Sequence, residues 1–148
     1  MSAEVHAAAA GCVFCAIAGG THAAGFVLEE PDVVAFLDAR PLFKGHVLVT
    51  PRAHVPTFLD LPGPQIGVLF GAVQRVARAV EAGLGADGTF VAMNNKVSQS
   101  VPHVHVHVVP RHQKDGLRGF FWPRARYADD AEREDYASRI RAALEPAP

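Results

Sequence analysis

The chain has 148 residues, of which 49% are hydrophobic and 20% charged, and its formal net charge at pH 7 is -1. These values read as one ordinary globular domain with enough apolar residues for a sizeable core. They argue against a general nucleic-acid binder, which needs a basic block or stripe, and no stretch approaches the length of a membrane-spanning helix.

Residues 1–10 are small and alanine-rich. They lack the basic start and apolar run of a signal peptide. A flexible tail over 1–10, a single domain over 11–148 and a cytoplasmic location are therefore expected. Cys12 and Cys15 are the only cysteines. A C-x-x-C pair admits three readings: a redox dithiol, a small disulfide, or half of a zinc site completed by two distant histidines. No strand precedes the pair, which weakens the redox reading. A reducing compartment weakens the disulfide.

A short helical turn is expected over 14–18, ended by Gly19-Gly20. Residues 26–29 and 33–38 read as two strands joined by the turn Glu30-Pro31-Asp32. A third strand over 46–50 stops at Pro51, and the three suggest an antiparallel meander. Asp60 to Pro64 carries helix-start chemistry, with Asp60 as the cap. Ile66, Leu69, Phe70, Val73, Val76, Ala77 and Val80 then recur at helical spacing, the apolar stripe of one long helix packed on the sheet. Gly83 and Gly85 end it. A fourth strand follows over 89–93, then a polar loop over 94–100.

The run His103-Val104-His105-Val106-His107-Val108 alternates strictly, the pattern of a half-buried strand beginning near Val101. Its valines should enter the core, and its three histidines should share the opposite face. Same-face neighbours on a strand lie roughly 6.5–7 Å apart. Two imidazoles at that spacing can grip one tetrahedral anion, or one can attack it while the next holds an oxygen. A metal-binding strand is the competing reading. Three clustered ionisable groups mark a site in either case.

Beyond Pro110 the residues Arg111, Lys114, Arg118, Arg124 and Arg126 surround Phe120-Phe121-Trp122-Pro123. This segment reads as aromatics folded over the core, or as a flap near a phosphate site or a dimer contact. A last helix begins at Asp129-x-x-Glu132, which resembles a capping box. Tyr136, Ile140 and Leu144 give it a thin apolar stripe.

The run His103-Val-His105-Val-His107-Val-Val resembles the His-φ-His-φ-His-φ-φ signature of the histidine triad superfamily, φ being apolar. The resemblance extends through the cysteine pair, Phe36-Leu37-Asp38, Gly45-His46-Val47-Leu48-Val49, Pro51-Arg52-Ala53-His54, Gln99-Ser100 and Pro110-Arg111. It implies an α+β fold around a five-stranded antiparallel sheet, with one long helix and a C-terminal helix, and a homodimer whose sheets join. It implies a nucleotide hydrolase or nucleotidyl transferase, of the nucleoside phosphoramidase or dinucleoside polyphosphate hydrolase type. The expected partner is a purine nucleotide, with no nucleic-acid polymer and no membrane.

By the same resemblance His105 is the nucleophile at the α-phosphorus and His107 steadies the phosphoryl oxygens. Asp38 binds ribose. Val13, Phe14, Ile17, Phe36 and Ala39 form the apolar slot around the base. Gln99 and Ser100 fall where phosphate or leaving group is held, and Asn95 falls near an asparagine that helps hold the nucleotide. Cys12, Cys15, His54 and His103 correspond to a closed structural zinc site. His6, His22, His46 and His112 are left as surface or structural residues. Many relatives carry glycine directly before the glutamine, where this chain has Ser98. Two other readings compete with the covalent enzyme: a metal-dependent hydrolase using the histidine strand as zinc ligands, and a nucleotide-binding regulator with little catalysis.

Overall fold

Five strands form one antiparallel sheet in the order β1-β2-β3-β5-β4. They are β1 (Phe26–Glu29), β2 (Val33–Leu37), β3 (Val47–Pro51), β4 (Gly88–Ala92) and β5 (Val106–Arg111). This computed structural model describes residues 8–118 and 124–147. His6, most of the tail and Phe120 to Pro123 of the basic aromatic segment lie outside the described residues. The chain divides into two compact units, Met1–Asp115 and Gly116–Pro148.

In the first unit, β-branched and aromatic residues alternate across the sheet, as pleated strands require. Val33, Ala35, Val47, Val49, Val106 and Val108 pack with the long helix α2 (Gly63–Leu84). Val34, Phe36 and Leu48 point the other way, onto Phe14 and Ile17 of the short helix α1 (Val13–Ala18). Leu48 pairs with His107 across the β3–β5 ladder. That register puts His107 on the α1 face, and the valines beside it on the α2 face.

The buried face of α2 is Leu69, Ala72, Val73, Val76 and Val80. Ile66 and Phe70 stand at its margin and stay more than a third exposed. Asp60 does not cap this helix. Its carboxylate accepts from the Thr57 amide and hydroxyl, closing a 3-10 turn over Phe58–Asp60, and Pro62 stands at the helix start. Gly85 ends α2 at φ 62°, in the left-handed region where glycine is favoured. Gly45 sits at φ +97°, and a Cβ there would run into the Leu84 side chain.

The histidine strand begins later than its alternation suggests. Only 106–111 pair as β5. Upstream, the Val104 amide donates to Val55 O at 2.7 Å, and the Val104 carbonyl accepts from the Thr50 hydroxyl at 2.7 Å. These backbone groups serve the segment leaving β3 rather than a neighbouring ladder. The side-chain alternation survives, with Val104, Val106 and Val108 all in the α2-facing core.

The second unit contains α3 (Asp130–Ala143), capped by Asp129, whose side chain accepts from the Glu132 amide. Tyr136 packs near Tyr127 and under the Arg139 guanidinium. The stripe Tyr136, Ile140 and Leu144 is exposed. Among the described residues no helix is long and apolar enough to cross a membrane.

Candidate active site and metal centre

Two side-chain clusters lie along residues 103–107. The first joins Cys12 and Cys15 of the α1 segment, His54 just past β3, and His103. Cys12 Sγ lies 3.5 Å and Cys15 Sγ 3.6 Å from His103 Nδ1, and Cys15 Sγ lies 3.4 Å from His54 Nδ1. All four ligand atoms fall within 4.8 Å of one another. Zinc–sulfur bonds of about 2.3 Å and zinc–nitrogen bonds of about 2.0–2.1 Å at tetrahedral angles give ligand edges of about 3.5 Å. The sulfur–nitrogen distances match that edge, and two thiols with two imidazoles are a zinc donor set.

The ring of His103 is prepared for that role. Its Nε2 lies 2.8 Å from Pro51 O, a carbonyl that can only accept. The ring proton therefore sits on Nε2, and Nδ1 presents its lone pair to the cysteines, the usual outer-shell support of a metal histidine. Burial is complete, and it pushes the His103 value down to about 4. The Cys15 thiol is pushed up by burial, the condition a bound cation reverses. A cavity of about 610 Å³, lined in part by Cys15, Asp32, Arg52, Gln65 and Leu69, opens beside this cluster.

The second cluster is Asp38, His46, His105 and His107. His105 Nδ1 lies 2.7 Å from the His103 carbonyl. The same logic places its proton on Nδ1 and leaves Nε2 as an unprotonated nitrogen. The Leu42 amide donates to His46 Nδ1 at 3.1 Å, so His46 carries its proton on Nε2. That nitrogen lies 2.9 Å from His107 Nδ1, which must accept, and the His107 proton is left on Nε2. One neighbouring ring thus offers a lone pair and the next a donor. Their centroids are 5.1 Å apart, closer than ideal strand spacing because the rings lean together.

Burial depresses all three rings. His107 falls to about 4, helped by His105 and His46, and His46 and His105 are lowered chiefly by burial. Near neutral pH these are uncharged imidazoles, as the tautomer assignments require. Asp38 stands 3.7 Å from His46 Nε2, and its other oxygen accepts from the Arg40 amide at 2.9 Å. Asp38, His46 and His107 also group closely enough to hold an ion. The proton that the Leu42 contact fixes on His46 Nε2 occupies the ligand position such an ion would need.

Phe14 sets its ring edge-on to His105 at 4.9 Å and to Phe36 at 5.4 Å. Phe14, Ile17 and Phe36 are buried in one cluster, while Val13 and Ala39 are exposed. The polar loop holds its own side chains differently from a phosphate cradle. Gln99 donates to Pro56 O at 2.7 Å and accepts from the Lys96 amide at 2.8 Å, and Asn95 accepts from the Phe58 amide at 3.1 Å. Both residues lace the loop to the segment after His54. Ser100 is exposed. Lys96 and Ser98 sit at φ 68° and 61°, so Ser98 occupies a backbone conformation suited to glycine.

His46 is the functional candidate that a local reading leaves out. The signal was its parity. His46 directly precedes β3 in the same parity as Leu48, and Leu48 faces His107 once β3 and β5 pair.

The HIT domain family matches residues 20–114. Among curated relatives, an adenosine 5′-monophosphoramidase of Schizosaccharomyces pombe is 32% identical over 114 residues, covering 76% of this chain and 83% of that one. A crystal structure of a HIT family member from Bacillus subtilis superposes with a TM-score of 0.83 at 31% identity, over 93% of this chain and 99% of that one. A zinc-bound histidine triad family protein from Mycobacterium smegmatis gives 0.70 at 34% identity, over 90% and 98%.

Proposed function

This chain belongs to the HIT domain family, and from that premise we propose that it is a nucleotide hydrolase or nucleotidyl transferase working through a covalent nucleotidyl-histidine. His105 Nε2 attacks the α-phosphorus of a purine nucleotide. An N–P bond forms, the bond to the leaving group breaks, and the leaving group departs with its electron pair and takes up a proton from solvent. Water then attacks phosphorus and gives up a proton to solvent, the N–P bond breaks with its electron pair returning to His105 Nε2, and the mononucleotide is released. Splitting one displacement into two lowers each barrier. His107 donates from Nε2 to a phosphoryl oxygen, and His46 holds that proton on the correct nitrogen. Asp38 accepts ribose hydroxyls, Phe14, Ile17 and Phe36 flank the base beside Ala39, Ser100 serves phosphate or leaving group, and Asn95 helps to hold the nucleotide. Gln99 acts first as the brace of its loop.

The observation that carries this reading is the set of ring contacts, His105 Nδ1 on the His103 carbonyl and His107 Nδ1 on a His46 ring held by the Leu42 amide, from which opposite tautomers follow. The substrates proposed are nucleoside phosphoramidates or dinucleoside polyphosphates, the former supported by the relative named as a monophosphoramidase. Adenosine 5′-phosphoramidate and diadenosine polyphosphates are offered in parallel, with mass spectrometry of the quenched protein. A nucleotidyl adduct on His105 is expected. Full turnover by His105→Ala would end the proposal.

Zinc is proposed as a structural ion on Cys12, Cys15, His54 and His103, supported by their donor geometry and by the zinc-bound relative. Its chemistry there is to crosslink segments. With four protein ligands the ion would have no open position for substrate. A homodimer is proposed through a sheet edge, supported by β4 as an outer strand with Val91 exposed. Light scattering of the purified chain tests it.

A further inference from the structure

We propose that the Cys12–Cys15–His54–His103 centre governs nucleotide binding, because metal held there fixes three segments that each carry part of the nucleotide site. The inference rests on the reading of His105 as nucleophile and Phe14 as a wall of the base slot.

The first link is a single residue. His103 offers Nδ1 to the metal, while its own carbonyl accepts the His105 Nδ1 proton at 2.7 Å. With Nδ1 on metal and Nε2 on Pro51 O, the ring cannot turn, and the carbonyl that sets the His105 tautomer stays aimed. The second link is α1. Cys12 and Cys15 bracket Phe14, whose ring edge meets His105 at 4.9 Å. The third is the segment from His54. Val55 O accepts the Val104 amide at 2.7 Å, Pro56 O accepts Gln99, and the Phe58 amide donates to Asn95. The loop before the triad therefore hangs on the strand exit that His54 anchors.

His107 has no such dependence. Its partner His46 is held by the Leu42 amide, and His107 itself by sheet pairing with Leu48. The fold also has supports that need no metal. Arg52 donates to Ala18 O at 2.5 Å and to Glu30 O at 2.6 Å, tying the far end of α1 to the β1–β2 turn. Metal loss should thus loosen one half of the histidine pair and spare the other.

The full chain is loaded with zinc, its zinc content is measured, and adenosine monophosphate binding is measured by calorimetry. Failure to bind nucleotide at this stage sinks the functional reading, whereas failure to hold zinc overturns the coupling. Zinc is then removed with a chelator while circular dichroism follows the fold. At least tenfold weaker nucleotide binding is expected. The downfield His105 Nδ1 proton should broaden away in proton NMR, while the His46–His107 proton persists, each assigned with the His105→Ala and His46→Gln proteins. A smaller change in affinity, or loss of both protons together in a folded chain, overturns the coupling. If chelation unfolds the chain, cadmium replaces zinc. Its longer thiolate bonds should shift the His105 proton and leave the His46–His107 proton in place, and an unmoved His105 proton overturns the proposal.

Discussion

His103 and His107 are four residues apart on one stretch of chain, yet their neighbours give them opposite tasks. Around His103 every contact converges on a point. Two sulfurs and two Nδ1 atoms face inward, and a carbonyl behind the ring fixes the proton away from them. Around His107 the contacts form a line, from the Leu42 amide through His46 to the His107 ring. The difference lies in which ring nitrogen is already engaged. The lone pair at His103 Nδ1, the lone pair at His105 Nε2 and the proton at His107 Nε2 all follow from one backbone or side-chain partner each. Identical residues thus present different nitrogens, His103 and His107 through partners on β3 and its flank and His105 through the carbonyl of His103.

The sharpest way to separate the two clusters is His105→Ala. Turnover should fall about 10³-fold or more, the scale of a lost nucleophile, while metal content and melting temperature stay put. Loss of metal along with activity would show that the clusters are not separable. His46→Ala should lower turnover about 10- to 100-fold, the scale of a lost orienting partner, and His46→Gln, which keeps a donor, should lose less. Steady-state kinetics on both variants checks this, and an unimpaired His46→Ala would remove the line of contacts from the mechanism.

The inward cluster should answer in stability instead. Cys15→Ser should cost about 3 kcal/mol and lower the melting midpoint by roughly ten degrees for a chain of this size, visible by calorimetry at fixed zinc. Acid probes the line of contacts again. His107 and His46 both lie below their ordinary 6.5, His107 at about 4. The unfolded chain therefore binds protons that the folded chain refuses as pH falls through this range. Their contribution to stability is complete above 6.5 and is lost progressively toward 4. The acid limb of turnover should lie below 6.5, and a midpoint at 6.5 or above in a pH–rate profile would contradict the buried neutral rings. The smallest effect belongs to Ser98→Gly. Relieving φ 61° should stabilise the chain by about 0.5–1 kcal/mol, read as a small upward shift of the melting midpoint.

Much of this was legible in sequence because it depends on local period. The short apolar runs Val33 to Leu37 and Val47 to Pro51 made strands buried on both faces, the spacing of Leu69, Val73, Val76 and Val80 made α2, and the histidine–valine run put three imidazoles on one face. The Cys12, Cys15, His54 and His103 set became readable through family resemblance and not through spacing. What escaped depends on pairing between distant segments. The start of β5 moved from 101 to 106 because Val104 spends its amide on Val55 and its carbonyl on Thr50. His46 reads as a leftover until β3 lies beside β5. The contacts that tie Gln99 to Pro56 O and the Phe58 amide to Asn95 likewise join distant segments, and no spacing within the polar loop announces them.

Gly45 gives the architecture a further constraint. A side chain there would collide with Leu84, at the last turn of a 22-residue helix, and the next residue in the chain is His46. The leucine tip is flexible and half exposed, so the firmer constraint on position 45 is its backbone, whose φ of +97° favours glycine directly before His46. A mutational library should therefore keep glycine at 45 while position 84 accepts a range of side chains.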